Sequence, residues 1–192
     1  MSKTLKNIQE LSNLAAAIAN DTKLINQIDT VSEAIVKAYR AGNKTIFCGN
    51  GGSSAEAQHL AAELSGKFMM DRKAIPAEAC HVNSSFVTAV SNDYDFTQVY
   101  SRYIEAFGNS GDVLIGLSTS GTSQNIIKAF QSAKSKGLVC VSLTGETGGL
   151  LNELSDYILK IPSKSVPRIQ EIHLLIGHII CEKVEQSLFG NE

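Results

Sequence analysis

TIFCGNGGSSAEAQHLAAE, running from Thr45 to Glu63, changes rhythm twice. Thr45, Ile46, Phe47 and Cys48 make a short apolar run of β type. Gly49-Asn50-Gly51-Gly52 breaks it, and an Ala-rich helical pattern begins at Ser53. A strand, a glycine turn and a helix start in that order leave backbone N–H groups unpaired and pointing out of the helix. The helix dipole favours negative charge at the same place, so this is an anion site. His59 and Glu63 stand four apart and share one helix face. An anion cradle followed by an acid/base or metal-binding pair suits an enzyme acting on a phosphorylated substrate.

Upstream, residues from about Ser2 to Ala41 read as two helices meeting near Asn20-Asp21-Thr22, with Asp21 or Thr22 as cap of the second. Leu5, Ile8, Leu11, Leu14 and Ile18 give the first an apolar face, and Leu24, Ile28, Val31, Ile35 and Ala38 the second. They have little core of their own and must pack on the domain or on a second subunit.

Downstream, the expected strands are Lys44 to Cys48, Ala77 to Val82, Val113 to Leu117, Val139 to Leu143 and Tyr157 to Ile161. Helices are expected over Ser53 to Ser65, Ser85 to Val90, Phe96 to Phe107, Gln124 to Lys136 and Arg168 to Leu188. Ser91-Asn92-Asp93-Tyr94 is expected as a loop, and Pro162 and Pro167 bracket another. Near-continuous apolar strands alternating with helices imply α/β architecture, a five-stranded parallel sheet covered on both faces. With no low-complexity linker, residues 1–192 read as one domain, of which about 1–42 is the helical segment.

The 192 residues suffice for a full hydrophobic core, and 43% hydrophobic with 19% charged residues is ordinary globular composition. A net charge of -2 without a basic run argues against nucleic acid as partner. Cys48, Cys80, Cys140 and Cys181 are scattered without a CxxC pair; Cys48 and Cys140 lie in apolar runs as buried, reduced thiols, which fits a reducing, cytoplasmic setting. LAAAIA, Leu14 to Ala19, is too short for a signal peptide and follows Glu10 rather than a basic segment. No stretch approaches the ~20 apolar residues of a membrane span.

The glycine loop after Cys48 is neither a dinucleotide fingerprint, which would need glycine at Ser54, nor a P-loop. Alone it also fits any tight strand-to-helix turn. A second loop, Ser118-Thr119-Ser120-Gly121-Thr122-Ser123, sets four hydroxyls (Ser118, Thr119, Ser120, Ser123) around Gly121 just before a helix. It can wrap a phosphate, or simply cap the helix. Ligands of open α/β sheets sit at the carboxyl ends of strands, so both loops can face one crevice. His59 and Glu63 suit a metal or acid/base chemistry, and equally an exposed pair worth a few tenths of a kcal/mol. On the last helix Gln170 and His178 lie roughly 80° apart on the wheel and about 12 Å apart along the axis, so one ion reaches both only at a stretch. His173 is about 140° from His178 and does not share its face.

Taken together, GNGGSSAEAQH, AAELSGKF, SNDYDF, GDVLIGLSTSGTS, SLTGETGG and RIQEIHLLIGH resemble the phosphoheptose isomerases of the sugar-isomerase (SIS) fold. The resemblance spans nearly the whole chain. It implies a flavodoxin-like sheet with an N-terminal helical extension, and conversion of sedoheptulose 7-phosphate to D-glycero-D-manno-heptose 7-phosphate, the first step toward bacterial heptose. It further implies one zinc ion per subunit and a homotetramer with active sites at subunit boundaries. Matched residue by residue, it implies substrate contacts at Asn50, Gly51, Gly52, Asn92, Asp93, Ser118, Thr119, Ser120, Ser123 and Gln170. The zinc ligands it implies are His59, Glu63, Gln170 and His178, with Glu63 and His178 as the acid/base pair. Lys67-Phe68 stands where Arg-Tyr is frequent, and Glu56 where Asp is common. Two other readings share the fold: a non-catalytic adaptor, whose kind lacks the carboxylate and second histidine, and an isomerase of another sugar phosphate.

Overall fold

The computed structural model describes residues 2–190. Two helices lead, α1 (Lys3–Ala19) and α2 (Thr22–Arg40), capped by Ser2 and Asp21, whose side chains accept from the Leu5 and Leu24 N–H groups. Then come β1 (Thr45–Gly49), α3 (Gly52–Ser65), β2 (Ala77–Ala79), α4 (Ser84–Asp93), a 3-10 turn (Phe96–Gln98) and α5 (Val99–Phe107). The second half runs β3 (Val113–Ser118), α6 (Gln124–Ser135), β4 (Val139–Thr144), α7 (Leu151–Leu154), β5 (Tyr157–Lys160) and α8 (Val166–Phe189).

All strand pairs are parallel, in the order β2-β1-β3-β4-β5. Side chains alternate across each strand, so the sheet serves two cores. Phe47, Ile115, Leu117, Val141 and Leu143 point into the one shared with α1, α2, α3 and α8. Ile46, Cys48, Leu114 and Cys140 point into the other, filled by α4, α5 and α6. The expected fold class holds; α2 packs on the domain itself, whereas α1 packs on it through Leu11, Leu14, Ala15 and Ile18 and leaves Leu5 and Ile8 exposed. All four cysteines are free and buried, and burial pushes the Cys140 and Cys181 thiols up to about 12.

Several boundaries move for identifiable reasons. The edge strand β2 stops at Ala79 instead of reaching Val82: it has one neighbour, and after the Cys80 N–H bonds Phe47 the chain turns, Val82 to Ala79. Asn92 and Asp93 lie on the last turn of α4, whose N-cap Asn83 starts it early, and not in a loop. Pro167 does not close a loop before α8. It occupies the first turn of that helix, where a missing N–H costs nothing.

At the junction of β1 and β3 the strand order reverses, since β2 lies to one side of β1 and β3 on the other. The crevice outside the carboxyl ends of these two strands is where open α/β sheets bind ligands. The loops flanking it are Asn50-Gly51 and Thr119 to Ser123.

Candidate active site

The two loops differ in how they are held. After β1, Gly51 takes φ +56°, and a Cβ on Gly52 would sit 2.6 Å from Gln170 Nε2, so α8 lies directly against the start of α3. After β3, Ser118 Oγ accepts from the Gly121 N–H at 3.2 Å and lies 3.4 Å from Ser123 Oγ. Ser120 Oγ accepts from the Thr122 N–H and hydroxyl at 3.2 and 3.0 Å. Gly121 has φ +66°, and any Cβ there would run into the Gly148 carbonyl, so this loop packs tightly on the one after β4. The N-cap residue Ser123 makes no side-chain cap bond to α6, so that helix start keeps N–H donors for an anion.

Further along α3 and α8 the polar groups change character. The two helices lie on the same sheet face, and both leave the carboxyl end of a strand, so they run side by side in one sense. Gly177 lets them close: a Cβ there would lie 2.5 Å from Leu60 Cδ1. The residues flanking that contact meet, His59 Nε2 and His178 Nε2 being 2.9 Å apart, and His59 Nε2 lies 3.2 Å from Glu63 Oε1. Donor atoms of His59, Glu63 and His178 all fall within 4.8 Å of one another, a group able to hold a metal ion. Two imidazoles and a carboxylate are a donor set that suits zinc with an open position. The two separations made by His59 Nε2, 2.9 and 3.2 Å, are shorter than the ~3.4 Å edge of a tetrahedron with ~2.1 Å bonds, so holding an ion would require these side chains to move apart. The site faces outward, with the His59 side chain 46% and Glu63 24% exposed.

The Phe68 ring stacks on His178, centroids 5.5 Å apart at 28°. Behind it Glu185, 1% exposed, accepts from the Phe68, Met69 and Met70 N–H groups at 2.7–3.0 Å and from Arg72 Nε at 2.8 Å. Arg72 in turn donates to the carbonyls of Glu63, Leu64 and Gly66, closing the end of α3. Glu185 and Arg72 therefore hold both the backbone of Glu63 and the ring lying on His178.

Not every expected residue joins these groups. Gln170 donates to Ser53 Oγ at 3.3 Å rather than turning toward the histidines. Asn92 and Asp93 bond each other at 2.9 Å and neither bonds either loop. Sequence reasoning noted Phe68 only as part of a departure from the family pattern, and passed over Asn125, Tyr100, Arg72 and Glu185. A carboxylate at Glu185, in register with the buried Cys181 and Val184 of α8, was the signal that could have found the last pair.

Comparison with known proteins decides the family. A model described as the SIS domain matches residues 7–145. A phosphoheptose isomerase of Sulfurimonas denitrificans is 48% identical over 192 residues, covering 100% of this chain and 98% of that one. The chain belongs to the phosphoheptose isomerase family. Its Clostridium acetobutylicum relative of the same name is 47% identical, over 91% of this chain and 89% of its own. Among solved structures, a phosphoheptose isomerase from Francisella tularensis superposes with a TM-score of 0.92 at 33% identity, covering 97% of this chain and 100% of that one. The family is one of aldose–ketose isomerase enzymes acting on sugar phosphates, and an adaptor role is not favoured.

Proposed function

We propose that this chain interconverts sedoheptulose 7-phosphate and D-glycero-D-manno-heptose 7-phosphate, supplying heptose for lipopolysaccharide or capsule in the cytoplasm. The observation that carries the reading is the meeting of His59, Glu63 and His178 on α3 and α8, behind a crevice whose Ser118 to Ser123 loop offers hydroxyl and helix-start donors. The phosphate sits on that loop, with Ser118, Thr119, Ser120 and Ser123 around it, and Asn50, Gly51 and Gly52 grip the sugar nearer its reacting end. Asn92 and Asp93 complete the substrate contacts.

The isomerisation takes a proton from C1 of the ketose while the C2 oxygen gains one, giving an enediol. Reprotonation at C2 and loss of the C1 hydroxyl proton then give the aldose. Glu63 carries the carbon proton between C1 and C2. His178 exchanges the oxygen protons, a task for which imidazole is suited near neutral pH. Zinc bound by His59, Glu63, His178 and, after rotation away from Ser53, Gln170 would supply a Lewis acid to the sugar oxygens. A carboxylate bound to a metal is a poorer base, so either Glu63 would leave a bound ion to take the proton or the ion would be partly structural. The outward-facing site supports completion by a neighbouring subunit in a homotetramer.

The test is incubation with sedoheptulose 7-phosphate, following aldose formation. Wild type turns over, and Glu63→Gln loses about 10²–10⁴-fold in kcat. No turnover by wild type sinks the substrate assignment, and an unimpaired variant sinks Glu63 as base. Chelation that leaves an ion-free protein fully active makes zinc incidental.

A further inference from the structure

Under the crevice, Asn50 after β1 and Asn125 in the first turn of α6 exchange two amide hydrogen bonds, each 2.8 Å. Asn125 is 3% exposed. The Ile126 N–H donates to Asn125 Oδ1 at 3.0 Å, and because a backbone N–H only donates, this contact fixes which end of the Asn125 amide is oxygen. Its Nδ2 then faces Asn50 Oδ1, and Asn50 Nδ2 faces Asn125 Oδ1. Tyr100, 2% exposed, donates its hydroxyl to the Gly49 carbonyl at 2.5 Å and stands 3.4 Å from Asn50 Oδ1. One orientation of the Asn50 amide satisfies all of these groups. It leaves Asn50 a single free N–H.

The same turn of α6 follows Ser123, the last residue of the phosphate-side loop. One helix start therefore anchors both loops of the crevice: the phosphate side through its own backbone, the sugar side through the amide pair.

We infer that Asn125 and Tyr100 are positioning residues for the isomerisation, fixing the Asn50 amide and the backbone after β1 relative to the phosphate loop. The inference rests on the isomerase reading above. Neither residue needs to touch substrate. They set where the sugar lies once its phosphate is bound, and small misplacements of a reacting centre carry large rate costs.

A positioning role separates from a merely structural one in the kinetics. Asn125→Ala and Tyr100→Phe are expected to lower kcat on sedoheptulose 7-phosphate by about tenfold or more. Inhibition by inorganic phosphate, which reports the Ser118 to Ser123 loop alone, is expected to stay within about twofold. Asn125→Ala added to Asn50→Ala is expected to cost nothing further, as for a residue acting through its neighbour. Additive losses, or a loss appearing only in phosphate inhibition, overturn the inference. If Asn125→Ala fails to fold, Tyr100→Phe, which removes one oxygen, decides alone: unchanged kcat overturns it. Wild type without turnover fails the isomerase reading itself, whereas active wild type with unimpaired variants fails only the bridge.

Discussion

Glu56 and His173 show what a single buried polar pair does to stability. His173 is wholly buried on α8 with neither ring nitrogen hydrogen-bonded, and Glu56 Oε2, also without a partner, lies 3.9 Å from its Nδ1. Burial raises the Glu56 carboxyl to about 7, against the opposing Ser53 hydrogen bond, and drives His173 down to about 4, against a weaker effect of the Thr144 backbone. The signs oppose each other. A carboxyl raised in the folded state binds its proton more tightly there, so stability falls as pH rises from its ordinary 4.5 through 7. An imidazole lowered in the folded state costs stability as pH falls from 6.5 toward 4. Urea denaturation in chelator should therefore show wild type losing about 1–3 kcal/mol more than Glu56→Gln between pH 5 and pH 8. Parallel pH profiles would mean that Glu56 meets water in solution. None of this was visible in the sequence. The helical wheel separated His173 from His178, but nothing in the spacing says that the far side of α8 is core.

At the scale of elements, the site depends on how closely α3 and α8 run. Gly177 opens the space for Leu60, and the Arg72–Glu185 pair locks the segment between α3 and β2 onto α8. Burial alone would raise the Glu185 carboxyl, but the Met69, Phe68 and Met70 N–H groups and the Arg72 guanidinium outweigh it and hold it below its ordinary range. Its stabilisation is therefore present above the ordinary carboxylate pKa and is lost as pH falls below it. Glu185→Ala leaves Arg72 buried without its counter-charge and should cost about 3–5 kcal/mol in denaturant unfolding near neutral pH. Replacing both residues with apolar ones of similar volume should cost less than the single change. Strands β1, β3 and β4 were legible because parallel, doubly covered strands are apolar on both faces. The ends of β2 and α4 were not, because they depend on where one edge partner stops and on a cap at Asn83. For Glu185 the register with Cys181 and Val184 marks a carboxylate on the buried face of α8, but not its partners, most of which are backbone N–H groups of a loop that no residue pattern announces.

For the whole molecule, the outer surface carries apolar side chains that the fold leaves uncovered. Leu175 and Ile179, one turn apart on α8, are 43% and 37% exposed, and Leu5 and Ile8 on α1 are 45% and 62% exposed. Their periodicity marked the first helix as amphipathic. Periodicity cannot distinguish a face that meets the core from one that meets another subunit, and α1 divides: Ile18 is buried while Leu5 and Ile8 are not. Leu175 lies three residues before His178, so a subunit seated there would stand beside the open side of the histidine–carboxylate group. Light scattering of wild type should then give the mass of four chains. Leu175→Asp combined with Ile179→Asp places two desolvated charges in such a contact and should shift the protein to a smaller species. If the neighbour helps complete the site, activity per chain should fall with the mass, by about tenfold or more, and recover at high protein concentration as subunits reassociate. A wild-type monomer, or a dissociated variant with undiminished kcat, would place the whole catalytic apparatus within one chain and leave the exposed face of α8 without a catalytic role.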